Sequence, residues 1–464
     1  MKSLYRLVLR STAVGGAAIG LGASPIVAQQ PPPSLGQPGQ PVRLSLGDAA
    51  RRAAHQSNNV QGAEQRAAEA SARVTQARAA LLPELSGNAL QSGRTFNSVT
   101  FGITLPTAPG QPPLFNPDGQ VLGPVNTLDL RGHVQTNIID YSAVQRMRTA
   151  KAQANAAQAD VSSAGDLAAA QAANAYVRVL RTNAQLQARL ADSALARDLV
   201  TIAQSQLEAG VGVALDVTRA ESQLAGVRNQ LISARNDREK AELDLRRSLN
   251  LSLDASVQLT DTLSTDVPED LALDEAAATA RAIRDRPDLR AMDEQIRASR
   301  QTVAATRSER LPSLSAFGDD GVIGKSGSTR LLPTYTWGVQ VSVPVFDGFR
   351  REGRIQEQEA MTRELDVRRK DLEQQAAIDV RSALVDLTSA REAIGASRDR
   401  LRLAQQEVDQ ARQRFRAGVS GNADVVTAAL SLNAARSQYI DVLTSLQVAR
   451  VSLAHSEGAI TQLR

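Results

Sequence analysis

The sequence predicts a mainly α-helical chain with a membrane β-barrel portion, laid out as two tandem structural units. Three observations predict it. Short motifs occur twice: Leu82-Pro83-Glu84-Leu85 returns as Leu311-Pro312-Ser313-Leu314, and Ala209-Gly210-Val211 with Asp216-Val217 returns 208 residues later as Ala417-Gly418-Val419 with Asp424-Val425. Two stretches, 125–267 and 345–464, contain no proline and are rich in Ala, Gln and Arg, as uninterrupted helices require. Two others alternate apolar and polar residues with the period of a strand.

Composition narrows the fold before any element is placed. Of 464 residues only 3% are aromatic, too few for two ordinary globular cores, whereas alanine-lined helices packed on one another need few. Residues 1–28 read as a secretory signal: Lys2, Arg6 and Arg10, the apolar run from Thr12 to Ala23, then Ile26-Val27-Ala28 ahead of Gln29. An uncleaved anchor is the alternative, but Gly15, Gly16, Gly20, Gly22 and Pro25 make a poor spanning helix. Losing the signal lowers the formal charge from +4 to +1, and arginines interleaved with acids read as solvated helix faces, so no nucleic-acid partner is expected. The chain has no cysteine, which excludes a disulfide framework, a thiol nucleophile and a lipid-anchored N-terminal cysteine.

The elements follow in order. A Pro/Gln-rich segment, 29–43, leads into the first unit, 44–250. That unit holds a helical stretch over about 45–82, a strand pair within about 85–139, and a helical hairpin over about 142–250 with its tip near 210. A single helix from Ser142 to Glu208 would span roughly 100 Å, beyond any globular core. Residues 251–272 read as a connector at the equator. The second unit, 273–464, repeats the plan: a helical stretch over about 273–311, strands within about 314–346, and a hairpin over about 349–460 with its tip near 418.

Each hairpin carries a heptad seam. Leu387, Ile394, Leu401, Val408 and Phe415 fall seven apart and face Val425, Leu432, Tyr439, Leu446 and Leu453, with alanines between. Alternating large and small layers let helices approach closely. The first hairpin follows with Val179, Leu186, Val200 and Leu207, then Val217, Leu224, Leu231 and Leu245, interrupted at Ser193 and Arg238.

In the strands, Tyr335, Trp337, Val339, Val341 and Val343 alternate with polar or small residues, as do Leu128, Leu130, Val134 and Ile138. A membrane barrel needs this dyad pattern because one face meets lipid and the other water. A half-exposed soluble sheet has the same period. Two facts favour the barrel: eight of the thirteen aromatics lie in or beside these segments, and both strands feed directly into the long helices. Tyr335 and Trp337 are therefore expected to face outer-membrane lipid. Four strands cannot close, and open edges are not tolerated in lipid, so other copies must add strands. A dimer would give eight and a trimer twelve.

The two-unit layout, the Arg286-Pro287-Asp288-Leu289 segment, the Leu-Pro-x-Leu lead-in to each strand pair and the Gly-then-Asp-Val helix turns together resemble TolC-like outer-membrane efflux and secretion channels, over about residues 44–462. The resemblance implies a homotrimer with four strands per protomer in a twelve-stranded β-barrel, and an α-helical barrel reaching through the periplasm. It also implies partners: a periplasmic adaptor (membrane fusion) protein and an inner-membrane efflux pump or ABC-type transporter. Gly210, Val211, Gly418 and Val419 match the tip surface that adaptor hairpins touch. Asp424 would form a ring of negative charge at a periplasmic gate, with Asp216 and Phe415 at latch positions. Departures are specific: Ser420 stands where family members commonly have arginine, Thr427 where they have a second aspartate, and Phe415 where they have tyrosine. These imply a closed tip held by fewer polar contacts and a weaker cation preference.

No catalytic or cofactor constellation is present. His55, His133 and His455 are scattered without metal-ligand spacing, and His133 falls on the polar, lumen-side alternation of its strand. The competing reading is an exported periplasmic adaptor or structural coiled-coil protein never inserted in the outer membrane.

Overall fold

A computed structural model describes residues 42–101, 119–265, 274–327 and 330–463. The expected signal segment, the Pro/Gln-rich stretch up to residue 41, residues 102–118 of the proline-rich strand connection and 266–273 of the connector lie outside the described residues.

Strand β1 (Val42–Leu44) precedes helix α1 (Leu46–Gln56), which Ser45 starts through a capping box: its hydroxyl accepts from the Asp48 N–H at 3.1 Å, and the Asp48 carboxylate accepts from the Ser45 N–H at 3.2 Å. Helix α2 (Asn58–Ala79) follows at once. The second half matches, with α5 (Glu275–Asp285) and α6 (Pro287–Ser308). The helical stretches expected over about 45–82 and 273–311 are each built as a pair of helices. The breaks are at Ser57 and Arg286, both in extended conformation. Pro287 at the first helical position forces the second break, since its ring disfavours helical geometry in the residue before it.

Arg286 is buried and bonds both Asp288 oxygens at 3.1 and 2.7 Å and Asp379 at 2.9 Å. Burial alone would push the Asp288 carboxyl up, but the Arg286 guanidinium outweighs it and holds the group below the usual carboxylate range. The motif is therefore a structural brace at mid-height. The first half has Ser57 and Asn59 in the corresponding places.

Strands β2 (Glu84–Asn97), β3 (Val121–Ile139), β5 (Ser313–Lys325) and β6 (Leu332–Ser342) form one antiparallel sheet in the order β2-β3-β5-β6, while β4 (Val257–Leu259) pairs in parallel with β1 near the middle of the molecule. Register puts Leu85 opposite Val134, Leu130 opposite Val322, and Gly318 opposite Trp337, so these share one face with Tyr335, Val339 and Val341. The other face carries Asp129, Arg131, His133, Asp319 and Gln340. There His133 Nδ1 lies 2.7 Å from Asp319, and Arg131 makes two bonds to Asp129. Phe317 lies on that polar face over Gly338, which has no side chain to obstruct the ring. Strands β2 and β6 are the open edges.

Four long helices leave the sheet in hairpins: α3 (Tyr141–Glu208, 68 residues) with α4 (Ala214–Ser248, 35), and α7 (Arg350–Arg416, 67) with α8 (Asn422–Ser456, 35). At 1.5 Å per residue α3 and α7 each run about 100 Å. The packing order is α2-α3-α6-α7 in the half near the sheet and α4-α3-α8-α7 in the half toward the tips. The short helices thus relieve one another at mid-height while α3 and α7 continue.

Matching helices agree in length to within one residue. Leu46 and Glu275 start 11-residue helices, Asn58 and Pro287 start 22-residue helices, and each pair is 229 apart, as are Glu84 and Ser313; beyond the strand connections the offset is 208. Most of the 21-residue difference falls between the paired strands, where residues 98–120 of the first half stand against 326–331 of the second.

The core is alanine-lined. Ala168, Ala169, Ala172 and Ala173 of α3 pack in one cluster with α1, and the buried Tyr176 hydroxyl donates to the Leu44 carbonyl at 2.9 Å. A Cβ on Gly165 would stand 2.9 Å from the Ala54 carbonyl oxygen, so glycine is what lets α1 lie this close. The seam residues Leu387, Leu432, Leu446 and Leu453 are at most 1% exposed, each contributing roughly 2 kcal/mol of apolar burial.

Candidate functional site

The helix ends farthest from the sheet are built alike. Ala209 ends α3 in helical conformation and Gly210 follows at φ 75°; its N–H donates to the Leu207 carbonyl and that of Val211 to Gln206, each at 3.0 Å. Ala417 ends α7, Gly418 sits at φ 69°, and the bonds run to Phe415 and Arg414 at the same lengths. Both are Schellman turns, in which a left-handed residue satisfies the last carbonyls, and glycine adopts that conformation without a Cβ penalty. Val211 and Val419 then stand at the apex, 76% and 70% exposed. Nearby Val213 and Leu215 are exposed too. An apolar apex of this kind is unusual on a solvated helix end.

Beneath the apex Phe415 is 2% exposed and packs with Leu199 and Ala203 of α3, Ala220 of α4 and Val425 of α8. The ring therefore joins the two hairpins. Lacking a hydroxyl, its side chain makes no polar link, but its carbonyl accepts from Gln206 Nε2 at 2.6 Å. A second cross-link runs the other way: Asn422, fully buried at the start of α8, donates from Nδ2 to the Asp216 carbonyl at 2.7 Å.

The remaining tip residues are placed as follows. Asp216 lies in the first turn of α4, half-buried, where the helix dipole favours a carboxylate; its nearest cation is Arg219 of its own helix at 4.0 Å, so its carboxylate does not reach the second hairpin. Asp424, in the first turn of α8, is exposed and makes no ion pair among the described residues. Thr427 is exposed and turns its hydroxyl back to the Ala423 carbonyl at 2.9 Å. Ser420 Oγ is buried with no hydrogen-bond partner among the described residues. Tyr335 and Trp337 lie on the sheet, about 100 Å of helix away from this group.

Sequence reasoning missed a second polar cluster higher in the helices. Asp192 of α3 has a side chain 1% exposed and bonds Arg189 at 3.0 Å and Arg436 of α8 at 2.6 Å. Arg189 reaches on to Gln230 of α4 and Ser437 of α8, and Arg436 to Gln405 of α7, so all four helices join in it. Burial pushes the Asp192 carboxyl above its ordinary value despite both arginines. The heptad break at Ser193, its buried neighbour, was the available signal. Gln206 and Asn422 left none beyond an asparagine where the first tip has Ala214.

Comparison with known proteins adds the following. Residues 49–251 and 279–459 match the family described as Outer membrane efflux protein. The chain is 27% identical over 285 residues to the alkaline protease secretion protein AprF of Pseudomonas aeruginosa, covering 58% of this chain and 54% of that one. It is 23% identical over 294 residues to the outer membrane efflux protein BepC of Brucella suis, covering 63% of each. The match therefore spans less than two thirds of either relative's length. Among solved structures, the fold is similar to the Campylobacter jejuni CmeC outer membrane channel, with a TM-score of 0.72 and 18% identity over 89% of this chain and 85% of that one.

Proposed function

The chain belongs to the outer membrane efflux protein family, and from that premise we propose that it is the passive, gated exit duct of a tripartite efflux pump or type I secretion system. The observation that carries the reading is the union, in one chain, of an open-edged four-stranded sheet with one apolar face and two helical hairpins about 100 Å long. The sheet suits lipid on its Tyr335 and Trp337 side, and its two unpaired edges call for further copies, because unpaired backbone in lipid costs several kcal/mol per group. Three copies would close twelve strands over a lumen lined by the His133 and Asp319 face, and twelve helices would enclose the tunnel below.

Matched helix lengths in the two halves support a duplicated unit, and the N-terminal pattern supports an exported precursor whose first 28 residues are removed. The exposed apex around Val211 and Val419, with Gly210 and Gly418 shaping it, is offered as the contact for a periplasmic adaptor. Asp424, with Asp216, Phe415, Ser420 and Thr427 around it, is offered as the gate. Three exposed Asp424 carboxylates around a constriction would favour cations. The relatives, named for protease secretion and for efflux, support a duct to which an inner-membrane pump delivers substrate. Energy and substrate selection are assigned to the partners. An adaptor or structural coiled-coil protein does not fit membership in an outer-membrane family.

Native mass spectrometry of the protein extracted in detergent from isolated outer membranes tests the assembly. A trimer recovered from that fraction is expected; a monomer stable in buffer without detergent would overturn the reading.

A further inference from the structure

Two bonds cross between the hairpins at the tip, and their chemistry is unlike the ionic latch that the resemblance implies. Both donors are neutral amides and both acceptors are main-chain carbonyls. Gln206 of the first hairpin grips the second at Phe415, and Asn422 of the second grips the first at Asp216, at 2.6 and 2.7 Å. They are reciprocal, and they flank the Phe415 cluster. Asn422 is fully buried, and its Oδ1 finds no partner among the described residues. A buried amide with half its capacity unused is costly to keep. Its donating half is then the reason for an asparagine here.

We propose that the resting tip of this protein is held by a neutral amide clasp, Asn422 on the Asp216 carbonyl and Gln206 on the Phe415 carbonyl, with these two residues acting as positioning residues for gate closure. The proposal rests on the reading of the tips as a gate. Ser420, where an arginine would carry the ionic latch, cannot form one, and the Asp216 carboxylate is turned to its own helix instead. One ion pair crosses close by, Arg412 with Asp198 at 2.5 Å, but Asp198 is 56% exposed, so salt screens it. A neutral clasp is not screened. Salt therefore separates the two contributions.

The absence of cysteine supplies the assay. A single cysteine at Ala203, 2% exposed within the Phe415 cluster, reports through its labelling rate how often the hairpins part. In the full-length assembled protein, Gln206→Ala and Asn422→Val, each removing one hydrogen bond, are expected to speed labelling about fivefold, and equally at about 0.05 and about 1 M salt. Asn422→Val also removes the unsatisfied acceptor, so an unchanged thermal midpoint distinguishes a loosened clasp from a damaged fold. Together the two changes should give less than the product of their separate effects if they act as one clasp. Labelling unchanged in both variants, or acceleration that depends on salt as an ion pair would, overturns the proposal. Bilayer recordings with Asp424→Ala identify which reading failed. If that variant alters ion preference while the clasp variants conduct like the parent, the gate stands and the clasp is wrong; if none of the three changes anything, both fall.

Discussion

Replacing Arg436 with methionine removes one of the two cations that hold Asp192, at a place where all four long helices meet. The carboxylate is 1% exposed, so water cannot take over, and Arg189 at 3.0 Å and the Asn433 amide nitrogen are left as its partners. Removing one member of a buried ion pair costs about 3–5 kcal/mol, and with Arg189 in place the lower end, about 3 kcal/mol, is expected. That is roughly a 150-fold rise in the local opening constant of the helices around it. Hydrogen exchange of the α8 backbone amides near residue 436, in the detergent-solubilised assembly, reads this directly. The pH dependence carries a sign. Burial already raises the Asp192 pKa in the folded state, so the charged form carries a cost there that loss of a cation increases, and the penalty is largest near neutral pH. It should shrink as pH falls through the raised folded value, because the stranded carboxylate then takes up a proton. Removing both charges, as Asp192→Leu with Arg436→Met, should recover most of the loss. A change of less than about threefold in opening, or an equal loss at about pH 5 and about pH 8, would refute the reasoning.

Other perturbations probe the remaining features. Asp424→Ala is expected to weaken cation preference in planar-bilayer recordings, and unchanged conductance and selectivity would remove the residue from the gate. Gly418→Ala must place a Cβ at φ 69°, so a loss of about 1 kcal/mol and a lower thermal midpoint are expected, with the same change at the exposed, negative-φ Gly395 as comparison. Trp337→Arg sets a charge on the apolar sheet face and should deplete the protein from the outer-membrane fraction, at a cost of about 2–4 kcal/mol if the site lies near the bilayer midplane; full recovery there would mean that this face does not meet lipid.

Most of the helical plan was legible because its signals are long: proline-free runs, heptad seams and glycines at the turns. Phe415, Val408 and Leu432 were readable as core from spacing alone, and they are buried as that spacing requires. The strand faces were readable from alternation, although Pro344 stops the last strand at Ser342, short of the expected 346. What could not be read depends on three-dimensional coincidence. Gln206 and Asn422 look like solvated amides until two helix ends 209 and 206 residues away in the chain are laid beside them. Asp192 looks like a surface acid, since only the approach of α8 brings Arg436 within 2.6 Å. The breaks at Ser57 and Arg286 are local: Pro287 marks the second as a helix start, whereas the first, ahead of Asn58, is a one-residue interruption within an otherwise helical composition.

The matched helix lengths restrict how such a chain can change over evolution. One residue inserted into α3 would push everything beyond it along by about 1.5 Å and rotate it by about 100°, so every downstream contact would face the wrong way. The helices are in effect ruled to a common length, and a single indel in one would have to be answered in its neighbours. The connection between paired strands obeys no such rule, since most of the disparity between the halves, residues 98–120 against 326–331, has accumulated there. That connection is where lineages can diverge, and where an epitope or label can be grafted without retuning the rest.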